Sequence, residues 1–102
     1  MREIDSKTAV EIRDLVVEYF ASECDVDRSR ISDTTDIIAE LKGDSLMFLS
    51  LLGKVRKRYG ITVELKTLAR HLMKKPANTV GQVVELTNAI VRHGDDILKV
   101  EL

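Results

Sequence analysis

Apolar side chains in this chain recur four times over with the 3.6-residue period of a helix. No segment shows a convincing two-residue alternation of a half-buried strand. Ala9, Ile12, Leu15, Val16, Tyr19 and Phe20 share one face of a first helix, and Thr8 and Glu11 stand in capping-box spacing, which predicts a start near Thr8. A second pattern runs from Leu46 to Tyr59, where Gly60 is a natural C-terminal stop. Leu65, Leu68, Ala69, Leu72 and Met73 form a third, ended before Pro76. The fourth starts at Thr79, with Gln82 in the capping-box position, turns Val80, Val83, Val84, Thr87, Ile90 and Val91 inward, and stops at Gly94. Between the first two helices, DVDRSRISDTTD carries the Asp, Ser and Thr side chains that favour local turns, with Val26 and Ile31 expected to pin it to the core. The pattern predicts an all-α fold, a small antiparallel four-helix bundle with a long loop between helices one and two. Residues 1–93 are expected to form a single domain, and 94–102, without a cap or clear period, a loose C-terminal tail.

A chain of 102 residues has room for one modest core, and its 44% apolar content exceeds that of a disordered chain. The longest apolar stretch, Leu46 to Leu52, is interrupted by Ser50 and far too short for a bilayer, so no membrane insertion is expected. The polar start MREIDSKT lacks a signal-peptide core, and the single Cys24 suits a reducing compartment; a cytoplasmic monomer is the expectation. The net charge of −1 conceals an asymmetry. Residues 1–53 carry 6 Lys and Arg against 12 Asp and Glu, residues 54–75 carry 8 against 1, and residues 76–102 carry 2 against 4. A basic middle between acidic ends implies a directional interaction surface.

Gly43-Asp44-Ser45-Leu46 is the most informative tetrapeptide. Ser45 stands where loop becomes helix, beside backbone N–H groups that lack helical partners and tolerate a phosphate well. Taken alone, Asp44 or Ser45 is a helix cap. In context, a first amphipathic helix, a long Asp/Ser/Thr loop, Asp44-Ser45-Leu46, then Tyr59-Gly60-Ile61-Thr62-Val63 and Thr79-Val80-Gly81 follow one another at intervals that resemble the acyl carrier protein family over about residues 8 to 92. The resemblance implies that Ser45 is esterified by the 4'-phosphopantetheine of coenzyme A, attached by a phosphopantetheinyl transferase with Mg²⁺. It further implies that Asp44 supports recognition by the transferase, and that the arm's thiol carries acyl groups as thioesters. On this reading the chain is not an enzyme; its partners are the transferase and the acyl-charging and acyl-transferring enzymes.

Two departures from the family pattern point to a specialised carrier in a lipid or other acyl-modification pathway, rather than the housekeeping carrier of fatty-acid synthesis. The stretch Glu64 to Lys75 is longer than the family's usual third helix, and the second helix, usually acidic in the family, here reads LMFLSLLGKVRKRYG. At 100° per residue, Met47, Leu51, Lys54 and Arg58 fall on one stripe taken as outward, flanked by Ser50 and Lys57. Met47, Leu51, Lys54, Lys57 and Arg58 are therefore expected to bind partners with acidic docking patches. Leu49, Leu52, Val55 and Tyr59 turn inward, with Phe48 at the edge. Phe48, Leu49, Leu52, Leu68, Leu72 and Met73 are candidates for an apolar acyl slot between helices two and three, against the alternative of ordinary core packing. Gly53, inside the second helix, implies a packing reason for its presence. A peptidyl or aryl carrier would share the Ser45 chemistry and differ only in cargo.

Rival chemistries lack essential residues. Gly-Asp-Ser-Leu is also the nucleophile block of a lipase/esterase family, but no Asp-x-x-His supplies its base: His71 follows Leu-Ala-Arg and His93 follows Ile-Val-Arg. Asp25, Asp27, Ser29, Asp33 and Asp36 mimic a calcium loop, yet Arg30 stands where the sharp turn needs Gly, and local Asx hydrogen bonds explain the loop better. Cys24 lies between Glu23 and Asp25, which disfavour a thiolate. Neither histidine has a partner at metal-site spacing, so both are taken as surface residues. The segment KVRKRYG…KTLARHLMKK raises a basic nucleic-acid-binding module. The slightly acidic whole and the lone aromatic Tyr59 speak against it, and no nucleic-acid partner is expected.

Overall fold

The computed structural model describes residues 4–43, 45–75 and 77–100. Four helices, Ser6–Cys24 (α1), Ser45–Tyr59 (α2), Leu65–Leu72 (α3) and Val80–His93 (α4), surround one core, with 3-10 turns at Arg28–Arg30 and Gly94–Lys99. Among the described residues the only extended pairing is an isolated bridge between Asp36 and Thr79. The all-α bundle expected from periodicity is the fold observed.

The apolar stripe of α1 buries Ile12, Val16, Val17, Tyr19 and Phe20. Tyr19 and Phe20 meet edge to face, 5.5 Å between ring centroids at 76°. The helix begins two residues earlier than the capping-box spacing implied. Asp5, not Thr8, is the N-cap, its carboxylate accepting the Thr8 N–H at 2.7 Å. Glu11 therefore closes no box with Thr8, because a better acceptor lies upstream. The helix ends where Asp25 adopts a left-handed conformation, φ 53°, and its N–H returns to the Ala21 carbonyl.

The long loop is fastened at both sides. Arg28 pairs with Asp14 at 2.9 Å and with Glu18, tying the first 3-10 turn to α1. Val26 and Ile31 are half-buried against the core, as their place in the sequence suggested. Further along, the loop supplies what the start of α4 lacks: the N–H groups of Val80 and Gly81 donate to Thr35 and Asp33 carbonyls at 3.0 and 2.9 Å, and Ile37 N–H donates to Asn78 at 2.9 Å. The capping box of Thr79 and Gln82 is present. Gly81 is required there: a Cβ would stand 2.9 Å from the Asp33 carbonyl oxygen.

Residues 94–100 depart from the expectation of a loose tail over 94–102, of which 101 and 102 lie outside the described residues. Ile97 is fully buried, the Asp95 carboxylate accepts the Thr62 and Val63 N–H groups at 2.6 and 3.1 Å, and a ring nitrogen of His71 lies 2.8 Å from the Val100 carbonyl oxygen. One apolar side chain every few residues cannot announce a helical period, but one is enough to dock a short 3-10 turn. His71 is likewise half-buried and hydrogen-bonded, rather than a plain surface residue.

Candidate functional site

Ser45 is the first residue of α2, so the N-terminal end of the helix, where backbone N–H groups point out of the helix, lies beside it. Asp44 and the side chain of Ser45 lie outside the described residues. The chain bends from Ile37 to Gly43, closed by the Gly43 N–H on the Ile37 carbonyl at 2.8 Å. Asp36 holds this bend through its carboxylate, which accepts the Ile38 and Ala39 N–H groups at 3.0 and 2.8 Å. Gly43 is buried, and a Cβ on it would meet the Ile37 side chain at 2.8 Å and the Met47 sulfur at 3.1 Å. From the other side Tyr19, itself buried on α1, donates its hydroxyl to the Met47 carbonyl at 2.9 Å. The bend and the tyrosine together fix where α2 starts.

The opening turn is electrostatically suited to a phosphodiester. It contains no acidic residue, and the helix dipole places partial positive charge there. Leu46 is 69% exposed and Ser50 is exposed, so the turn faces solvent. Ile38, in the bend before α2, is 66% exposed. These residues fit an arm joined through phosphate at the head of the helix.

The outward stripe assigned to α2 needs rotation. Leu51 is fully buried and Met47 half-buried, whereas Leu46, Ser50, Lys54, Lys57 and Arg58 are exposed. Leu51 lies only about 40° around the helix from Val55, at the centre of the buried arc, and a helix packed against several neighbours buries an arc wider than 100°. Arg58, about 20° beyond Leu51, escapes because it sits at the helix end and lays its guanidinium 5.9 Å from the Tyr59 ring. Leu46, next to Ser45 in the chain, and Ile38, in the bend before α2, are exposed apolar residues that the charge-led reading missed. Leu46 shared a stripe with Ser50 and Lys57, which was the available signal.

Of the candidates for an apolar slot, Leu52, Leu68 and Leu72 are buried at 1%, 0% and 0% exposure, and Phe48 and Leu49 are half-buried. Met73 is 63% exposed and does not join them: α3 ends at Leu72, and the next residue turns outward. An open cleft of about 320 Å³ lies elsewhere, between Arg13, Asp33, Thr79, Gln82 and Glu85. Gly53 has no packing reason, since nothing lies within 4 Å of where its Cβ would be.

Cys24 is not an activated nucleophile. Burial first, and Glu23 second, push the Cys24 thiol up, which keeps it protonated at neutral pH. Among the described residues no group of three His, Cys, Asp or Glu side chains is placed to hold a metal ion. No helix among them is long and apolar enough to cross a membrane.

Comparison with known proteins agrees with this geometry. The family model described as the phosphopantetheine attachment site matches residues 14–87. An acyl carrier protein homolog from Clostridium acetobutylicum is 37% identical over 100 residues, covering 98% of this chain and 97% of the relative. No solved structure matches. A helical bundle whose second helix opens on a serine, matched over most of its length by the attachment-site family, belongs to the acyl carrier proteins, with 4'-phosphopantetheine as its covalently attached prosthetic group.

Proposed function

We propose that Ser45 is the residue esterified by phosphopantetheine, and that the protein delivers acyl groups and catalyses no step by itself. The observation that carries this is the position of Ser45 at the head of α2, on an opening turn free of acidic residues and rigidly approached through Gly43. When attached, the arm supplies a thiol on which cargo travels as a thioester. The chain's own contribution is positional. Tyr19 and the Ile37–Gly43 bend hold the attachment point, the α2 N-terminus favours the phosphodiester, and Asp44 serves recognition by the transferase.

Acyl cargo is favoured over peptidyl or aryl cargo by the apolar seam of Phe48, Leu49, Leu52, Leu68 and Leu72 between α2 and α3, which would open to receive a chain. Partner enzymes meet Leu46 and the cationic side chains of Lys54, Lys57 and Arg58, so their docking patches are apolar with an acidic rim. That polarity, and a cytoplasmic setting, suit a specialised lipid or fatty-acid-derived pathway.

The test is intact mass after incubation with coenzyme A, Mg²⁺ and a broad-specificity phosphopantetheinyl transferase. The expected result is a gain of one phosphopantetheine, mapped to Ser45 by fragmentation. Ser45→Ala should stay folded, because Ser45 is the first helical residue and alanine is a good helix former there, and should gain nothing. An unmodified wild type, or a modified alanine variant, ends the assignment.

A further inference from the structure

Helix α3 has two sharply different faces. Leu68, Ala69 and Leu72 are buried, while Lys66, Thr67 and Arg70 are exposed, and the chain leaves the helix through exposed Met73, Lys74 and Lys75. From residue 65 to residue 84 there is no Asp or Glu. Lys66, Arg70 and Lys74 follow one another at four-residue spacing, so within the helix like charges stand as neighbours, an arrangement that weakens a helix. Among the described residues no carboxylate pairs with any of these cations; the ion pairs present involve Arg13, Arg28 and Lys99. The stability of the fold therefore gives no reason for this array.

Two features identify what the array fits. Met73, 63% exposed, places a flexible apolar side chain between Arg70 and the Lys74-Lys75 pair. The cations are mostly lysines, Lys66, Lys74 and Lys75 against the single Arg70. Lysine is depleted at protein–protein interfaces, where fixed geometry and arginine forks are preferred, but serves well against mobile anionic headgroups that need no fixed register. Long lysine stems around an apolar tip are also how an interfacial segment rests at the headgroup boundary.

We infer that the outer face of α3 and the turn after it seat the protein on a bilayer surface rich in anionic phospholipid. Lys66, Arg70, Lys74 and Lys75 meet the headgroup phosphates, and Met73 enters the boundary beneath them. The inference rests on this face alone and not on the chemistry at Ser45. It leaves the α2 face, on a different helix, for enzymes.

The test is co-sedimentation of the unmodified full chain with phosphatidylcholine vesicles, with and without phosphatidylglycerol, at about 50 mM and about 300 mM salt. Binding should require phosphatidylglycerol and fall steeply in the higher salt. Lys66→Glu with Arg70→Glu should weaken it about tenfold or more, and Lys66→Gln with Arg70→Gln by less, both variants melting as cooperatively as the wild type. Met73→Ser should weaken binding a few-fold at both salt concentrations. Lys54→Glu with Arg58→Glu should weaken it less than the α3 reversal. Absence of binding to phosphatidylglycerol vesicles at low salt would overturn the inference. So would equal loss in the α2 and α3 reversals, which would mean unspecific charge. Retention on immobilised polyglutamate without retention on vesicles would assign the face to an acidic protein instead.

Discussion

Two helical glycines in this protein have opposite meanings. Gly53 is half-buried in the middle of α2 with open space where a Cβ would be, so Gly53→Ala should raise stability by about 0.5–1 kcal/mol, chiefly by restricting the unfolded chain. Gly81, in the first turn of α4, faces the Asp33 backbone at 2.9 Å, so the same change there must push the loop away and lose the Gly81–Asp33 hydrogen bond. Gly81→Ala should lower stability by about 1–3 kcal/mol, and urea melts of the two variants, moving in opposite directions, check the pair. Asp95 offers a third residue-scale measurement. Thr62, by its backbone N–H and then its side chain, holds the Asp95 carboxyl below the ordinary carboxylate range, with the Val63 N–H and Arg56 adding to the effect. Since the folded pKa is the depressed one, the unfolded chain takes up protons first as pH falls through about 4; the contribution is complete above that value and lost as pH drops through the folded pKa. Asp95→Asn should lower the melting temperature at neutral pH and flatten its decline on acidification.

At the scale of elements, each helix was legible where its apolar residues repeat and its ends are punctuated by local chemistry. The α4 capping box and the stops at Gly60 and Gly94 are local, and they are where the sequence pointed. The start of α1 at Asp5 rather than Thr8 was a local misreading, whereas those of Leu51 and of the C-terminal segment concern contacts between segments far apart in the chain. Leu51 was turned outward because Lys54 and Arg58 share its stripe, yet the width of the buried arc is set by how many neighbours α2 has. Met73 was turned inward because it continues the α3 period, yet that helix stops one residue earlier. The docking of Gly94–Lys99 depends on Thr62, Val63 and His71, some thirty residues upstream, and leaves no periodic trace. At the candidate site, Ser45 and its place at a helix start were readable. Tyr19 and the Ile37–Gly43 bend that hold that start were not, because a hydroxyl reaching a carbonyl 28 residues away is a tertiary event.

For the molecule as a whole, charge is sorted by region: acidic through α1 and the loop, basic along the exposed side chains of α2 and α3. Exposed charges act mostly on association rate and specificity, each contributing modestly. Replacing Lys54 and Arg58 with Glu should therefore slow association with a cognate enzyme severalfold at low salt, with the difference fading as salt rises and the fold unchanged; stopped-flow association at several ionic strengths checks it. Arg28 and Arg30 share one turn of the loop, but only Arg28 has its guanidinium spread across Asp14 and Glu18. To a protease that reads arginine in an extended strand, the first is clasped and the second bare. Trypsin should accordingly nick the native chain after Arg30 before Arg28, and the interval between the two cuts becomes a clock for how often α1 lets go of its loop.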